Sequence, residues 1–269
     1  MRLGENKALR AEALGINRKN IYHHSLLQEK DEQLREAIEN AWIKHPAYGH
    51  KRLGIHLHIN PKRIRRVMRK NGMKPPRRKR SYYCTKSTEH HTYTNLIKEL
   101  RPTKIHELWC SDVSFLKYQG TFWYVITIVD VVTRQVIAAE VGKQHNSELT
   151  LTVLKQAIYN AKQVPDIFHT DQGTEFMAKK CTDYLESVGV KVSASDKASP
   201  WQNGYQESFF GKFKDEVGDI NRFDTVGELI EEIYQHIHYY NTERIHTALK
   251  MPPAVYATSL RTMSEKTGT

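Results

Sequence analysis

Residues 121–132, Thr-Phe-Trp-Tyr-Val-Ile-Thr-Ile-Val-Asp-Val-Val, run almost without polar interruption. A β-rich segment this apolar is stable only where both of its faces are covered. It must be an inner strand of a sheet with helices on either side, which limits the chain to a layered α/β architecture. The flanking sequence agrees. Ile105 to Tyr118 reads as a strand, Gly120 marks a turn, and Arg134 to Val141 reads as a third strand, so the domain opens as a meander. The period then changes. A helix is predicted from about Asn146 to Gln163, with Leu149, Val153, Leu154, Ala157, Ile158 and Ala161 inward. A short strand Asp166 to Thr170 follows, then a helix from about Thr174 to Val188 stopped by Gly189, and a strand Val190 to Ala194. A further helix contains Glu207, and another spans 225–243.

Three acidic residues fall at special places in this pattern. Asp112 lies inside the first strand, where aspartate is disfavoured. Asp171 ends the fourth, at the carboxyl edge where open sheets gather their sites. Glu207 follows Asp171 after 35 intervening residues. On its helix, Phe209, Phe210, Phe213 and Val217 form the inward stripe, while Glu207, Gly211 and Lys214 share a separate one. Carboxylate oxygens suit Mg²⁺, which prefers hard ligands and keeps waters that phosphate oxygens can replace. Two such ions about 3.5–4 Å apart can activate an attacking oxygen and stabilise a leaving one. Asp130 and Asp196 read as turn residues, and Glu175 as a first-turn helix acid favoured by the helix dipole, so all three stay outside the metal set. The fold class expected is α/β, a ribonuclease-H-like mixed sheet flanked by helices.

Charge divides the chain. Residues 1–104 hold 25 Lys/Arg against 9 Asp/Glu, whereas 105–269 hold 16 against 21. The basic part reads as a polyanion-binding arm. Within it Leu34, Ile38, Ala41 and Trp42 mark an amphipathic helix ended by His45-Pro46. A Tyr48-Gly49 turn and a short segment follow, then a helix with Asn60 as N-cap, Pro61 at its first position and Gly72 as its stop. There Ile64, Val67 and Met68 point inward, leaving Arg63, Arg65, Arg66, Arg69 and Lys70 on the surface of a small all-α, helix-turn-helix-like domain. The expected organisation is a basic helical DNA-binding region at 1–73, a basic linker at 74–104, a catalytic core with C-terminal helix at 105–257 and a frayed tail at 258–269.

Cys84, Cys110 and Cys181 are scattered, and the pairs His23-His24 and His90-His91 lack cysteines at finger spacing, so reduced thiols and no structural zinc are expected. No apolar run fits a membrane span or secretory leader, which points to a soluble, cytoplasmic protein. No Walker loop or nucleophile elbow appears.

Several motifs together resemble one family. They are His45-Pro-x-Tyr48-Gly-x-Lys-Arg, Trp109-x-x-Asp112-Val-Ser-Phe, Tyr124 to Arg134, His169-Thr-Asp171-Gln-Gly, Ser199-Pro-x-x-Asn203-x-x-x-Glu207-Ser-Phe-Phe and Tyr240-Asn-x-x-Arg244-x-His246-x-x-Leu249. The chain is similar, over residues 25–257, to the second-frame (OrfB) transposases of the IS-three insertion-sequence family, whose core is like that of retroviral integrases. The resemblance implies Mg²⁺-dependent cleavage at the ends of an element, with Mn²⁺ able to substitute, and attack of the freed 3′ hydroxyl on another phosphodiester. It implies Asp112, Asp171 and Glu207 as catalytic metal ligands. It also implies double-stranded DNA as partner, both terminal inverted repeats and target, with a homo-oligomer on DNA and an upstream-frame protein or fusion as companion. The expected DNA contacts are Lys214, Lys212 and Asn203 in the core, and Arg52, Arg63, Arg65, Arg66, Arg69 and Lys70 in the arm. Trp201-Gln-Asn-Gly departs from the more usual Asp-Asn-Ala but keeps Asn203. The alternative reading is a catalytically silent DNA-binding regulator derived from a transposase; three intact carboxylates, which repel DNA, argue against it.

Overall fold

The computed structural model describes residues 11–15, 17, 26–76, 93–171, 173–196 and 203–267. Both histidine pairs, Cys84, residues 77–92, Gln172, Ser199-Pro200 and Trp201-Gln202 lie outside them. The chain divides into two compact units, 1–75 and 76–269.

The first unit contains α1 (Leu26–Lys44), α2 (His50–His56) and α3 (Pro61–Lys70). Leu34, Ile38 and Ala41 of α1 are buried, as are Ile64, Val67 and Met68 of α3, which packs on α1. Asn60 caps α3 by accepting from the Lys62 N–H at 2.9 Å, with Pro61 in the first turn. The His45-Pro-x-Tyr48-Gly motif makes the corner between α1 and α2. The His45 ring stacks on Tyr48 at 4.4 Å, and the Trp42 indole donates to the Tyr48 carbonyl at 2.8 Å. Gly54 permits the next corner: a Cβ there would stand 2.6 Å from Pro61 Cγ.

The second unit is built on a five-stranded sheet in the order β3-β2-β1-β4-β5, formed by β1 (Leu108–Tyr118), β2 (Thr121–Asp130), β3 (Val136–Gly142), β4 (Ile167–Thr170) and β5 (Lys191–Ala194). β1, β2 and β3 are antiparallel neighbours, whereas β4 runs parallel to β1 and β5 parallel to β4. The unit's described helices are α4 (Ser147–Ala161), α5 (Lys179–Ser187), α6 (Gly204–Val217), α7 (Val226–Thr242) and α8 (Pro253–Thr267), with a 3₁₀ turn at Ile220–Arg222. One face of the sheet, through Leu116, Val125 and Val129, meets Phe209, Phe210 and Phe213 of α6 and Leu229, Ile233 and Ile237 of α7. The other, through Trp109, Ile126 and Ile128, meets Val153, Leu154 and Ala157 of α4 and Leu185 of α5. β2 is thus covered on both faces, as its composition requires. This meander followed by parallel strands is the ribonuclease-H-like order.

Four boundaries differ from expectation. β2 stops at Asp130 because that buried carboxylate takes the Thr133 N–H at 2.6 Å, the Thr133 hydroxyl at 2.8 Å and the His106 N–H at 2.7 Å, closing a turn. The α5 helix begins at Lys179, with 174–178 in turns and bends. Residues 93–104, expected as linker, belong to the core: Tyr93 hydrogen-bonds Glu186 at 2.8 Å, Leu96 N–H donates to Ser193 at 2.9 Å, and Ile97 and Leu100 pack by Leu108 and Val131. The tail expected to fray is helical as far as Thr267, started by Pro253 and packed on α7.

Cys110 and Cys181 are buried and unpaired. Among the described residues no helix is long and apolar enough to cross a membrane.

Candidate active site

Asp112 sits on β1 on the side that faces α6. Its neighbour strand β4 is short and pairs with β1 only through Leu108, Trp109 and Cys110, leaving the edge of β1 open beyond that point. Cys110 pairs with His169, so carrying the parallel register two residues on sets Asp171 beside Asp112. His169 fastens the end of β4: its ring nitrogens meet the hydroxyls of Ser193 and Ser195, both at 2.9 Å. Burial pulls the His169 pKa down to about 4, so the ring is neutral. The Asp171 carboxylate accepts from the Gly173 N–H at 3.0 Å.

Glu207 arrives from α6, whose first turn is bolted to β1. Asn203 Nδ2 donates to the Ser111 carbonyl at 3.0 Å, and Gln206 Nε2 donates to the carbonyls of Cys110 and, at 3.2 Å, Thr127. The Thr127 hydroxyl in turn donates to Gln206 Oε1 at 2.9 Å. These bonds take hold of β1 just before Asp112 and of its cross-strand partner Thr127, and fix which way the helix presents Glu207.

The electrostatics are those of crowded acids. The Asp112 carboxyl is pushed up to about 8, first by burial, then by Asp171, with Glu207 adding to it; the Val113 N–H and Lys214 pull the other way. Asp171, open to solvent on one side but crowded by protein, has a raised carboxyl for the same leading reason. Glu175 is raised too, by burial and then by Asp171, with His145 in partial opposition. Since α5 begins only at Lys179, Glu175 is no first-turn helix acid; it stands beside Asp171. Lys214, Glu207 and Asp171 thus all act on Asp112, and Asp171 and His145 act in turn on Glu175. Among the described residues no three acidic, His or Cys side chains close on one point at ligand distance. The donor set fits divalent cations chemically: hard oxygens, with negative charge in excess of the nearby Lys214.

The expected DNA contacts separate into groups. Lys214 borders the carboxylates and a cavity of about 440 Å³ lined by Leu116, Lys117 and Val217. Lys212 is exposed, with Asp215 at 3.9 Å. Asn203 is 5% exposed and holds α6 to β1, so its role here is positioning rather than a DNA contact. Arg52 is half-buried with its guanidinium 5.8 Å from the Tyr48 ring centre. Arg66 reaches Asp31 at 2.7 Å, Lys70 the same carboxylate at 3.3 Å, and Arg63 the Lys30 carbonyl at 3.2 Å. One side of α3 is thus tied to α1, a correction to a helix of wholly outward cations. Arg65 and Arg69 are exposed and have no ion-pair partner among the described residues. The motif Asn241-x-x-Arg244 turns inward: Arg244 is 1% exposed and grips Glu216 bidentately at 2.7–2.9 Å, while half-buried Asn241 exchanges two hydrogen bonds with the Val136 backbone. Sequence reasoning missed Gln206, whose signal was a polar residue beside an aromatic core stripe, and set Glu175 aside as a helix acid although it stands beside Asp171.

Comparison with known proteins follows the same lines. An integrase core domain model matches residues 102–200, and a second integrase core domain model matches 188–253. An uncharacterized transposase-like protein of Haemophilus influenzae is 31% identical over 202 residues, covering 74% of this chain and 94% of that protein. A putative transposase for insertion sequence element IS150 of Escherichia coli is 26% identical over 88% of each chain. The transposase for element IS904 of Lactococcus lactis is 29% identical over 82% of this chain and 92% of its own length. Of solved structures, the HTLV-2 integrase catalytic core domain in complex with magnesium, in its trimeric form, aligns at a TM-score of 0.49 and 19% identity, covering 58% of this chain and 99% of that one. A simian T-cell lymphotropic virus intasome in complex with PP2A regulatory subunit B56 gamma aligns at 0.49 and 15% identity, covering 77% of this chain and 69% of that one. With motifs, topology and relatives in agreement, the chain belongs to the insertion-sequence transposases of the IS-three, second-frame type, built on an integrase core domain.

Proposed function

We propose that this transposase cleaves DNA at the ends of its element and joins the freed 3′ ends to new phosphodiesters, using Asp112, Asp171 and Glu207 as ligands for two Mg²⁺ ions, with Mn²⁺ serving in their place. The observation that carries the reading is Asp112: a desolvated carboxyl facing two further acids, with Lys214 beside them. A protein tolerates such repulsion where a bound cation relieves it. Bound at this position, the ions supply Lewis-acid charge at the attacking and leaving oxygens.

The residues of the chain do the rest. Lys214 draws the phosphodiester backbone onto the carboxylates. Gln206 and Asn203 hold α6 so that Glu207 stays within reach of β1, and neutral His169 keeps Asp171 at the end of β4. In the first step a water oxygen bonds to phosphorus as the P–O3′ bond opens, leaving a 3′ hydroxyl. In the second, that hydroxyl oxygen bonds to another phosphorus as its P–O3′ bond breaks, the attacking proton passing through solvent to the leaving oxygen. One phosphodiester is lost and one gained in the joining step, so no nucleotide cofactor is needed. Terminal inverted repeats and target DNA are the substrates, and a homo-oligomer on DNA, alone or with an upstream-frame protein, is the working species in the cytoplasm.

The test is a strand-transfer assay with Mg²⁺ or Mn²⁺ on DNA carrying the element's terminal repeats, comparing wild type with Glu207→Gln. Loss of 3′-end joining with DNA binding retained is expected; equal joining by the two proteins would overturn the ligand assignment.

A further inference from the structure

A second cationic site lies on the turn between β2 and β3. Arg134 occupies that turn with φ of 63°, and its guanidinium carbon stands over the Tyr205 ring, 4.0 Å from the ring centre. Its Nε and Nη1 are buried and have no hydrogen-bond partner among the described residues. Orphaned buried donors are unfavourable in a folded chain and call for an explanation, here sharpened by a permanent charge. The guanidinium borders a cavity of about 660 Å³ lined by Lys98, Glu99, Arg101, Arg134, Tyr205 and Tyr256 among others. Lys98 is paired with Asp196 at 2.8 Å, and Glu99 is the acidic residue among the described lining, so Arg101 and Arg134 leave the cavity net positive.

Its position relates it to the carboxylates. Tyr205 stands two residues before Glu207 on α6. Trp109, opposite Asp130 at the mouth of the turn, precedes Asp112 by three residues, about 10 Å along the strand. We infer that this cavity holds a backbone phosphate of the strand that enters the carboxylate site: Arg134, braced on the Tyr205 ring, offers its guanidinium donors, and Arg101 supplies a second charge. The inference rests on the strand-transfer reading above.

The experiment measures binding of the full chain to a fluorescent DNA duplex across a salt series, for wild type, Arg101→Gln, Arg134→Gln and the charge-retaining Arg134→Lys, with folding checked by circular dichroism. Each Gln variant is expected to flatten the slope of log affinity against log salt by about one, and Arg134→Lys to restore most of it. Slopes equal to wild type in folded Gln variants would overturn the site. Should Arg134→Gln fail to fold, Arg101→Gln decides by the same slope. Inorganic phosphate is added separately as a probe. Thermal stabilisation of wild type by phosphate, with unchanged DNA slopes in the variants, would mark a small-anion pocket and also overturn the assignment. Absence of any salt-dependent DNA binding by wild type would instead strike the transposase reading itself.

Discussion

Two aspartates, Asp31 and the half-buried Asp112, have opposite surroundings. Asp31, in the helical unit, is 3% exposed and meets the guanidinium of Arg66 and the ammonium of Lys70, and the Arg66 hydrogen bond holds its carboxyl below the ordinary range. Asp112, in the core, meets Asp171 and Glu207, and burial with those neighbours pushes it up to about 8. Glu216 repeats the first pattern, a buried acid gripped by Arg244. A buried acid with cations around it is structure. A half-buried, desolvated acid facing other acids is unfavourable without a ligand, and that imbalance is what distinguishes the catalytic candidate from the rest.

The sharpest way to break the comparison is Asp112→Asn. Strand transfer is expected to fall by about 10²–10³ or more, while the metal-free protein becomes more stable by on the order of a few kcal/mol at neutral pH, read as a rise in Tm. A lower Tm would mean that Asp112 is structural after all. The paired acid should behave the other way: Glu216→Gln leaves the charge of Arg244 buried and unmatched, a loss of about 3–5 kcal/mol in chemical denaturation. A change within error would place Glu216 among the solvated residues.

The same bracket gives a pH test. His236 lies 3.6 Å from Glu216 and 5.2 Å from the Phe213 ring, and burial pulls its pKa down to about 4. The unfolded chain then binds a proton that the folded one refuses, so its share of stability, roughly 3 kcal/mol, is present above about pH 6.5 and is lost as pH falls towards 4. His236→Phe should flatten that part of the stability curve; an unchanged curve would show that the acid loss lies elsewhere. The smallest effect concerns Asp31→Asn. Tm should drop modestly, and salt-dependent DNA binding should strengthen, because Arg66 and Lys70 lose their internal partner; weaker DNA binding in a folded variant would contradict that reading.

Much of this was legible in the chain because it follows from periodicity. The run from Thr121 demands burial on both faces, and the spacing of Phe209, Phe210, Phe213 and Val217 places the core side of α6, leaving Glu207 and Lys214 off that side. What was hidden involves contacts without a period. Tyr93, Ile97 and Leu100 pack on the core from an irregular segment, and Arg66 looks like any outward cation until α1 brings Asp31 beneath it. Arg244 and Glu216 are separated by 28 positions, and no local pattern couples them.

The sequence by itself determined the layered α/β class, the helical basic unit and the identity of the acidic residues, since these depend on local spacing, composition and motif. The tertiary structure alone decided which charges meet. Parallel pairing of β1 with β4 sets Asp171 beside Asp112, and hydrogen bonds from Asn203 and Gln206 swing Glu207 towards them. The physical reason is range: propensity and amphipathicity act over a few residues, whereas desolvation and Coulomb interaction depend on distances in space that only the packed chain fixes.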